Sequence, residues 1–144
     1  LGVASLGDLE PVMASRIGRY ADLVNSNQPW AWREVDVGIP RFDRVLVRSY
    51  AEQAGLVPSI PVDPVTRFAD FNRVMIRQET LPASHWNRSD SVQFNYLDSL
   101  IGGRPVGTTW HHDVVPGNMQ LVPFGAHNIT PHLGGRSTWS TGNR

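Results

Sequence analysis

The sequence predicts an α+β domain centred on a strand–turn–strand–helix unit near its C-terminus. Three observations predict it. Four of the five histidines, His111, His112, His127 and His132, fall within a single stretch of the chain. Between them lies a turn signal, Pro116-Gly117-Asn118, flanked by two apolar-leaning runs. Pro123 then stands where a ladder must stop and a helix can begin.

In chain order, residues 1–24 read as an amphipathic helix. Leu9, Val12, Met13, Ile17, Tyr20 and Leu23 recur at spacings of three and four, with Asp8 placed to cap it and Pro11 in its first turn. Asn25 to Pro29 is a polar break. Trp30 to Val37 alternates weakly and Arg44 to Tyr50 contains Val45-Leu46-Val47, so two short strands around Gly38-Ile39-Pro40 are expected; Phe42 to Gly55 reads equally as one helix. Val57 to Pro64 carries Pro58, Pro61 and Pro64 and reads as an extended linker. The domain boundary is placed there. Residues 1–65 are an N-terminal extension of helix plus irregular or short strand, and residues 66–144 are the functional domain.

Arg67 to Glu79 reads as a helix through Phe68, Phe71, Val74, Met75 and Ile76, or as a turn and then a strand from Arg73 to Gln78, stopped at Leu81-Pro82. Ser89 to Leu100 reads as a helix capped by Ser89 or Asp90, with Val92, Tyr96, Leu97 and Leu100 as its stripe and Gly102-Gly103 as its stop. Trp110-His111-His112 closes a strand, and Met119 to Val122 returns as a second. Neighbours on a strand face opposite sides, so His111 and His112 serve different surfaces. A helix from Phe124 to about Ile129 carries His127 back toward the pair, Pro131 ends it and Gly134-Gly135 closes the unit. The tail from Arg136 is a short strand or a frayed end.

Composition narrows the chemistry. There is no cysteine, so a metal site must use nitrogen and oxygen donors. No run approaches the roughly 18 apolar residues of a membrane helix, and the start carries no signal-peptide pattern. The chain begins at Leu1 without Met and reads as a fragment or processed product. All 13 basic residues are arginine, a side chain suited to bidentate phosphate contact. Residues 67–144 hold seven of them against five carboxylates, a slight positive lean. No His-Glu-x-x-His occurs, so a zincin protease is unsupported.

The order and spacing of these residues resemble the HNH/endonuclease VII nuclease superfamily, with its ββα-metal (His-Me finger) core, and within it the Trp-His-His branch common in toxin domains of bacterial polymorphic toxin systems. The resemblance rests on Gly103, Gly107, His111-His112, Asn118, the run Met119 to Pro123, His127, His132 and Gly134-Gly135. It places the core at 105–135, reaches upstream to about Phe68 and leaves out residues 1–65. It implies His112 as general base and His111, His127 and His132 as metal ligands. Because Pro131 separates the last two, His132 must reach the metal from beyond the helix end, or contact phosphate instead; Asp113 and Asn128 are alternative oxygen donors. Asn118 is expected to bridge the loop and orient His112. Arg104, His85, Arg88 and Arg136 are phosphate candidates.

Three imidazoles favour Zn²⁺, Ni²⁺ or Co²⁺, whereas nuclease turnover commonly uses Mg²⁺ or Mn²⁺. The implied activity is metal-dependent hydrolysis of double-stranded DNA, with RNA as the other backbone the same chemistry cuts. The implied setting is a secreted bacterial toxin domain, delivered to a target cell's cytoplasm and neutralised by an immunity protein. A reading from a different class is a noncatalytic, zinc-stabilised module that binds nucleic acid or protein.

Overall fold

A computed structural model describes residues 11–140. It holds α1 (Pro11–Asn25), α2 (Pro29–Gly38), α3 (Arg41–Gln53), β1 (Arg77–Thr80), α4 (Asp90–Ile101), β2 (Thr108–His112), β3 (Asn118–Pro123), α5 (Phe124–Ile129) and α6 (Arg136–Trp139). The expected α+β class is what is observed. Two compact units divide it: the chain up to Ser59 together with Phe124–Ile129, and Ile60–Pro123 together with the chain from Thr130 on.

In the first unit, α1 begins at Pro11, a residue pre-set for the first helical turn, and buries Ile17, Tyr20, Ala21, Leu23 and Val24. The expected stripe holds from Ile17 onward, but Val12 is exposed, and Leu9 and Asp8 lie outside the described residues. The two short strands expected after it are instead helices α2 and α3. In α2 the buried residues are Ala31 and Val35, four apart, which is a helical spacing and not an alternating one. In α3 Val47 and Ala51 are buried four apart while Val45 points to solvent. These side chains complete a core with Ile39, Val57 and Ile129. Gly125 opens α5 against α1: a Cβ there would stand 2.0 Å from the Val24 carbonyl oxygen, and its N–H donates to Asn27 Oδ1.

The second unit is built on a three-stranded antiparallel sheet in the order β1–β3–β2. The strand in the 67–79 region falls later than expected, at Arg77–Thr80, because the chain first turns through residues 72–74. β3 is the central strand, pairing Trp110 with Leu121, His111 with Gln120 and His112 with Met119. Paired residues share a face. One face therefore carries Trp110, His112, Met119 and Leu121, and Trp110, Met119 and Leu121 pack on Leu81, Leu97 and Trp139. The other carries His111, Gln120 and Val122, and Val122 packs with Phe71, Ile60 and Ala69.

Helix α4 supports the first of these faces. Ser89 is its N-cap, its Oγ accepting from the Val92 N–H, and Gly102 ends it in the left-handed conformation at φ 75°. The Trp110 indole is buried beneath the hairpin and its Nε1 donates to Asp98 Oδ1 of α4 at 2.8 Å. The hairpin turn needs Gly117, at φ 77° and with Leu81 O close by. The segment after Pro131 is neither strand nor frayed through Trp139, but the short helix α6.

Gly135 explains why the unit closes on glycine. Its N–H donates to His112 O at 2.8 Å, and a Cβ added there would meet Asp113 O at 1.7 Å. The Trp139 indole also donates to Asp113 O, at 2.7 Å. Gly135→Ala should therefore destabilise the domain by about 1–3 kcal/mol through overpacking, or more if the Asp113 backbone cannot shift. A urea-denaturation midpoint checks this, and an unchanged midpoint would contradict the close approach.

Candidate active site

Strand β2 ends at the histidine pair, and the pleat sends the two rings to opposite faces. His111 is buried on the Gln120 face, where its ring lies 4.5 Å from Phe71 and 5.1 Å from His132, centroid to centroid. Phe71 also lies 5.2 Å from His132, so one aromatic ring steadies both imidazoles. His127 sits on α5, which follows β3 with no intervening residue. His111, His127 and His132 each offer a ring nitrogen, and those nitrogens lie within 4.8 Å of one another.

The donor set fits a divalent cation. His132 Nδ1 lies 2.6 Å from the Thr130 carbonyl oxygen. A carbonyl only accepts, so Nδ1 carries the proton and the lone pair resides on Nε2, the usual arrangement for a ligating imidazole. Metal–nitrogen bonds are about 2.0–2.1 Å, so the three rings must draw somewhat closer than they stand to grip one ion. Pro131 does not prevent convergence: the chain leaves α5 at Ile129, and His132 reaches back from beyond the helix end. Opposite His111 in the ladder, Gln120 donates from Nε2 to Asn72 Oδ1 at 2.9 Å, while its Oε1 is buried with no hydrogen-bond partner.

His112 lies on the other face. Its Nε2 is 2.7 Å from Gln93 Oε1, and its ring neighbours are Phe94 at 5.9 Å and Trp139 at 5.6 Å. Asn118 was expected to orient this histidine, and the structure gives it a different task. Its Nδ2 donates to Asp113 Oδ2 at 2.8 Å and to Gln78 Oε1 at 2.9 Å. It ties the residue after His112 to β1, and leaves the imidazole itself to Gln93. Asp113 is thereby engaged across the turn. With Asn118, Gln78, Gln120, Asp70 and Asn72 it lines a polar cavity of about 640 Å³.

The phosphate candidates are dispersed. Arg136 is 4% exposed, and its guanidinium reaches Gln93 Oε1, Ser140 Oγ, the Arg88 carbonyl and Asp90. Arg104 pairs with Asp98 at 3.3 Å and covers the Phe94 ring. His85 packs on Tyr96 and contacts Ser84 Oγ, while Arg88 is exposed.

With that geometry in place the comparison with known families is decisive. Residues 102–142 match the model of WHH, a nuclease of the HNH/ENDO VII superfamily with conserved WHH. This segment is a WHH domain. It takes in Trp110-His111-His112, Asn118, His127, His132 and the Gly134-Gly135 closure. No curated protein and no solved structure matches the chain. The WHH domain supports a nuclease function, and nucleases of its superfamily use divalent metals, consistent with the imidazole triad.

Gln93 is the residue sequence reasoning missed. It is fully buried on α4, four positions before Leu97, on the face that the helical period turns inward. That spacing was the available signal: a glutamine on a buried stripe needs partners for all of its polar atoms.

Proposed function

We propose that the WHH domain is a metal-dependent DNA endonuclease, with a catalytic module spanning residues 66–144 and residues 1–65 as a connector. The observation that carries this reading is the histidine arrangement: three ring nitrogens gathered within 4.8 Å, and a fourth imidazole on the next residue of the same strand end, facing the other way. His111, His127 and His132 would hold the cation. When bound, it supplies positive charge that stabilises the pentacoordinate phosphorus and the leaving oxygen.

His112 acts as general base. Its imidazole takes a proton from the water that attacks phosphorus in line, opposite the leaving 3′ or 5′ oxygen. Asn118 and Asp113 fix the turn that follows the pair, and the Phe71 ring holds His111 and His132 in register. The further reading, from the Trp-His-His resemblance, is a toxin domain delivered from a bacterium into a target cell's cytoplasm and neutralised by an immunity protein that covers this site.

The test is incubation of the purified chain with supercoiled plasmid and with RNA, in Mg²⁺, Mn²⁺, Ni²⁺ or EDTA. Metal-dependent nicking and linearisation of the plasmid, abolished by EDTA, is the expected result. Cleavage of RNA alone would move the activity to the other backbone. A chain that cuts neither, yet loses much of its thermal stability on chelation, would be a zinc-stabilised binding module.

A further inference from the structure

Around His112 lies a closed set of side chains that the reaction above does not use. Gln93 is 0% exposed and directs its amide between two groups of partners. Its Nε2 faces His85 O at 2.9 Å, Trp86 O at 3.0 Å and Ser140 Oγ at 3.1 Å. Its Oε1 faces His112 Nε2 at 2.7 Å and Arg136 Nη1 at 3.3 Å.

This amide has one permitted orientation. Two of the three atoms around Nε2 are carbonyl oxygens, which only accept. The third, Ser140 Oγ, has one proton, and it goes to Trp86 O, so toward Gln93 it too must accept. Rotating the amide by half a turn would place Oε1 against three acceptors and Nε2 against the Arg136 guanidinium. Arg136 is itself held by Asp90, an ion pair at 3.2 Å, and by the Arg88 carbonyl at 3.1 Å. Neither side of the amide therefore has freedom to exchange.

We propose that Gln93 is the positioning residue of His112: its anchored Oε1 requires a proton on Nε2, so the neutral ring stands in one tautomer with the basic lone pair on Nδ1. Asp90 Oδ1, the other acceptor near Nε2, is 3.9 Å away, beyond hydrogen-bond reach, and would demand the same tautomer. In free imidazole the proton divides between the two nitrogens; here burial makes the choice costly to reverse, because a deprotonated Nε2 would face an oxygen lone pair. Arg136 and Ser140 act one step further out, on the amide and not on the imidazole. Arg136 is thus assigned to an internal latch, distinct from a surface contact to phosphate.

The inference gives chemical detail to the general-base reading of His112, but it is tested without nuclease activity. Long-range ¹H–¹⁵N spectra of the ¹⁵N-labelled full chain at about pH 8, where an ordinary imidazole is neutral, report the tautomer of each histidine. His112 is assigned by its loss in His112→Ala. The expected result is Nε2–H with an unprotonated Nδ1; a His112 ring protonated on Nδ1, or an even mixture, would overturn the proposal whatever the chain does to DNA.

Two variants extend the test. Gln93→Glu keeps an acceptor at Nε2 and should keep the tautomer. Gln93→Leu removes it and should give a mixture. Where the plasmid is cut, Gln93→Leu should lower kcat by about 10–100-fold, the range seen when a partner of a functional histidine is lost, with KM changed less than about twofold. A folded Gln93→Leu chain that retains pure Nε2–H would show that Gln93 does not set the tautomer. Should that variant fail to fold, the wild-type spectrum still decides. A wild-type chain that shows the expected tautomer but cuts nothing would remove the nuclease reading and leave the positioning role of Gln93 in place.

Discussion

His112→Ala abolishes plasmid nicking and leaves metal binding intact. The rate loss should be about 10²–10⁴-fold, the contribution of a positioned general base. Metal binding survives because the pleat separates the two functions: His112 pairs with Met119 on the face toward Trp139, while His111 pairs with Gln120 on the opposite one. The substitution deletes a buried ring flanked by Phe94 and Trp139 and costs about 1–3 kcal/mol of stability, so the variant is assayed well below its melting midpoint. Gln93 Oε1 retains the Arg136 guanidinium as a partner, which limits the polar penalty. Nicking is followed on agarose gels and Zn²⁺ or Ni²⁺ affinity by calorimetry. Cutting at the parental rate would remove His112 as the base.

His111→Ala produces the complementary loss. It removes one of the three ring nitrogens, and the one fixed most firmly, since His111 is 2% exposed and packs against Phe71. Loss of a mere outer partner of a ligand typically lowers affinity 10–100-fold, so losing a ligand should lower Zn²⁺ or Ni²⁺ affinity by at least about 100-fold. Nicking should fall with it and return in part at high metal concentration, because His127 and His132 remain. Calorimetry and a metal titration of the nicking rate together check this. Affinity equal to that of the parent would mean that the triad does not hold the ion. The pair of variants separates the roles: one loses rate with its ion in place, the other loses the ion first.

The C-terminal unit was legible because its signals are local. Pro116-Gly117-Asn118 fixes the turn, Pro123 cannot donate to a ladder, and Pro131 excludes a longer helix, so β3 and α5 fall where the residues require. The strand alternation also separates His111 from His112 without reference to any fold. The resemblance to Trp-His-His nucleases used these same residues, and the match over 102–142 agrees with it.

The N-terminal unit was less legible because its strand signal is misleading. Val45-Leu46-Val47 is a β-branched run that favours a strand in isolation, yet only Val47 of the two valines is buried. Packing of α3 on α1 overrides that preference, and the core spacing of Val47 and Ala51 is helical. Around His112 the difficulty is of another kind. The apolar stripe read on α4 emphasised Val92, Tyr96 and Leu100, but the buried residues are Gln93 and Leu97. A buried glutamine is legible only once its partners are known, and those come from residues 85, 86, 112, 136 and 140, which no local pattern joins.

The central claim is that one divalent cation is gripped by His111, His127 and His132. Crystals grown with Zn²⁺ or Ni²⁺ and measured at the metal's absorption edge test it most directly. The account predicts a single strong anomalous peak per chain, bonded to a ring nitrogen of each of these three histidines and to none of His112. A peak ligated by His112 or by the Asp70 and Asp113 carboxylates, or no peak between the three rings, would contradict it.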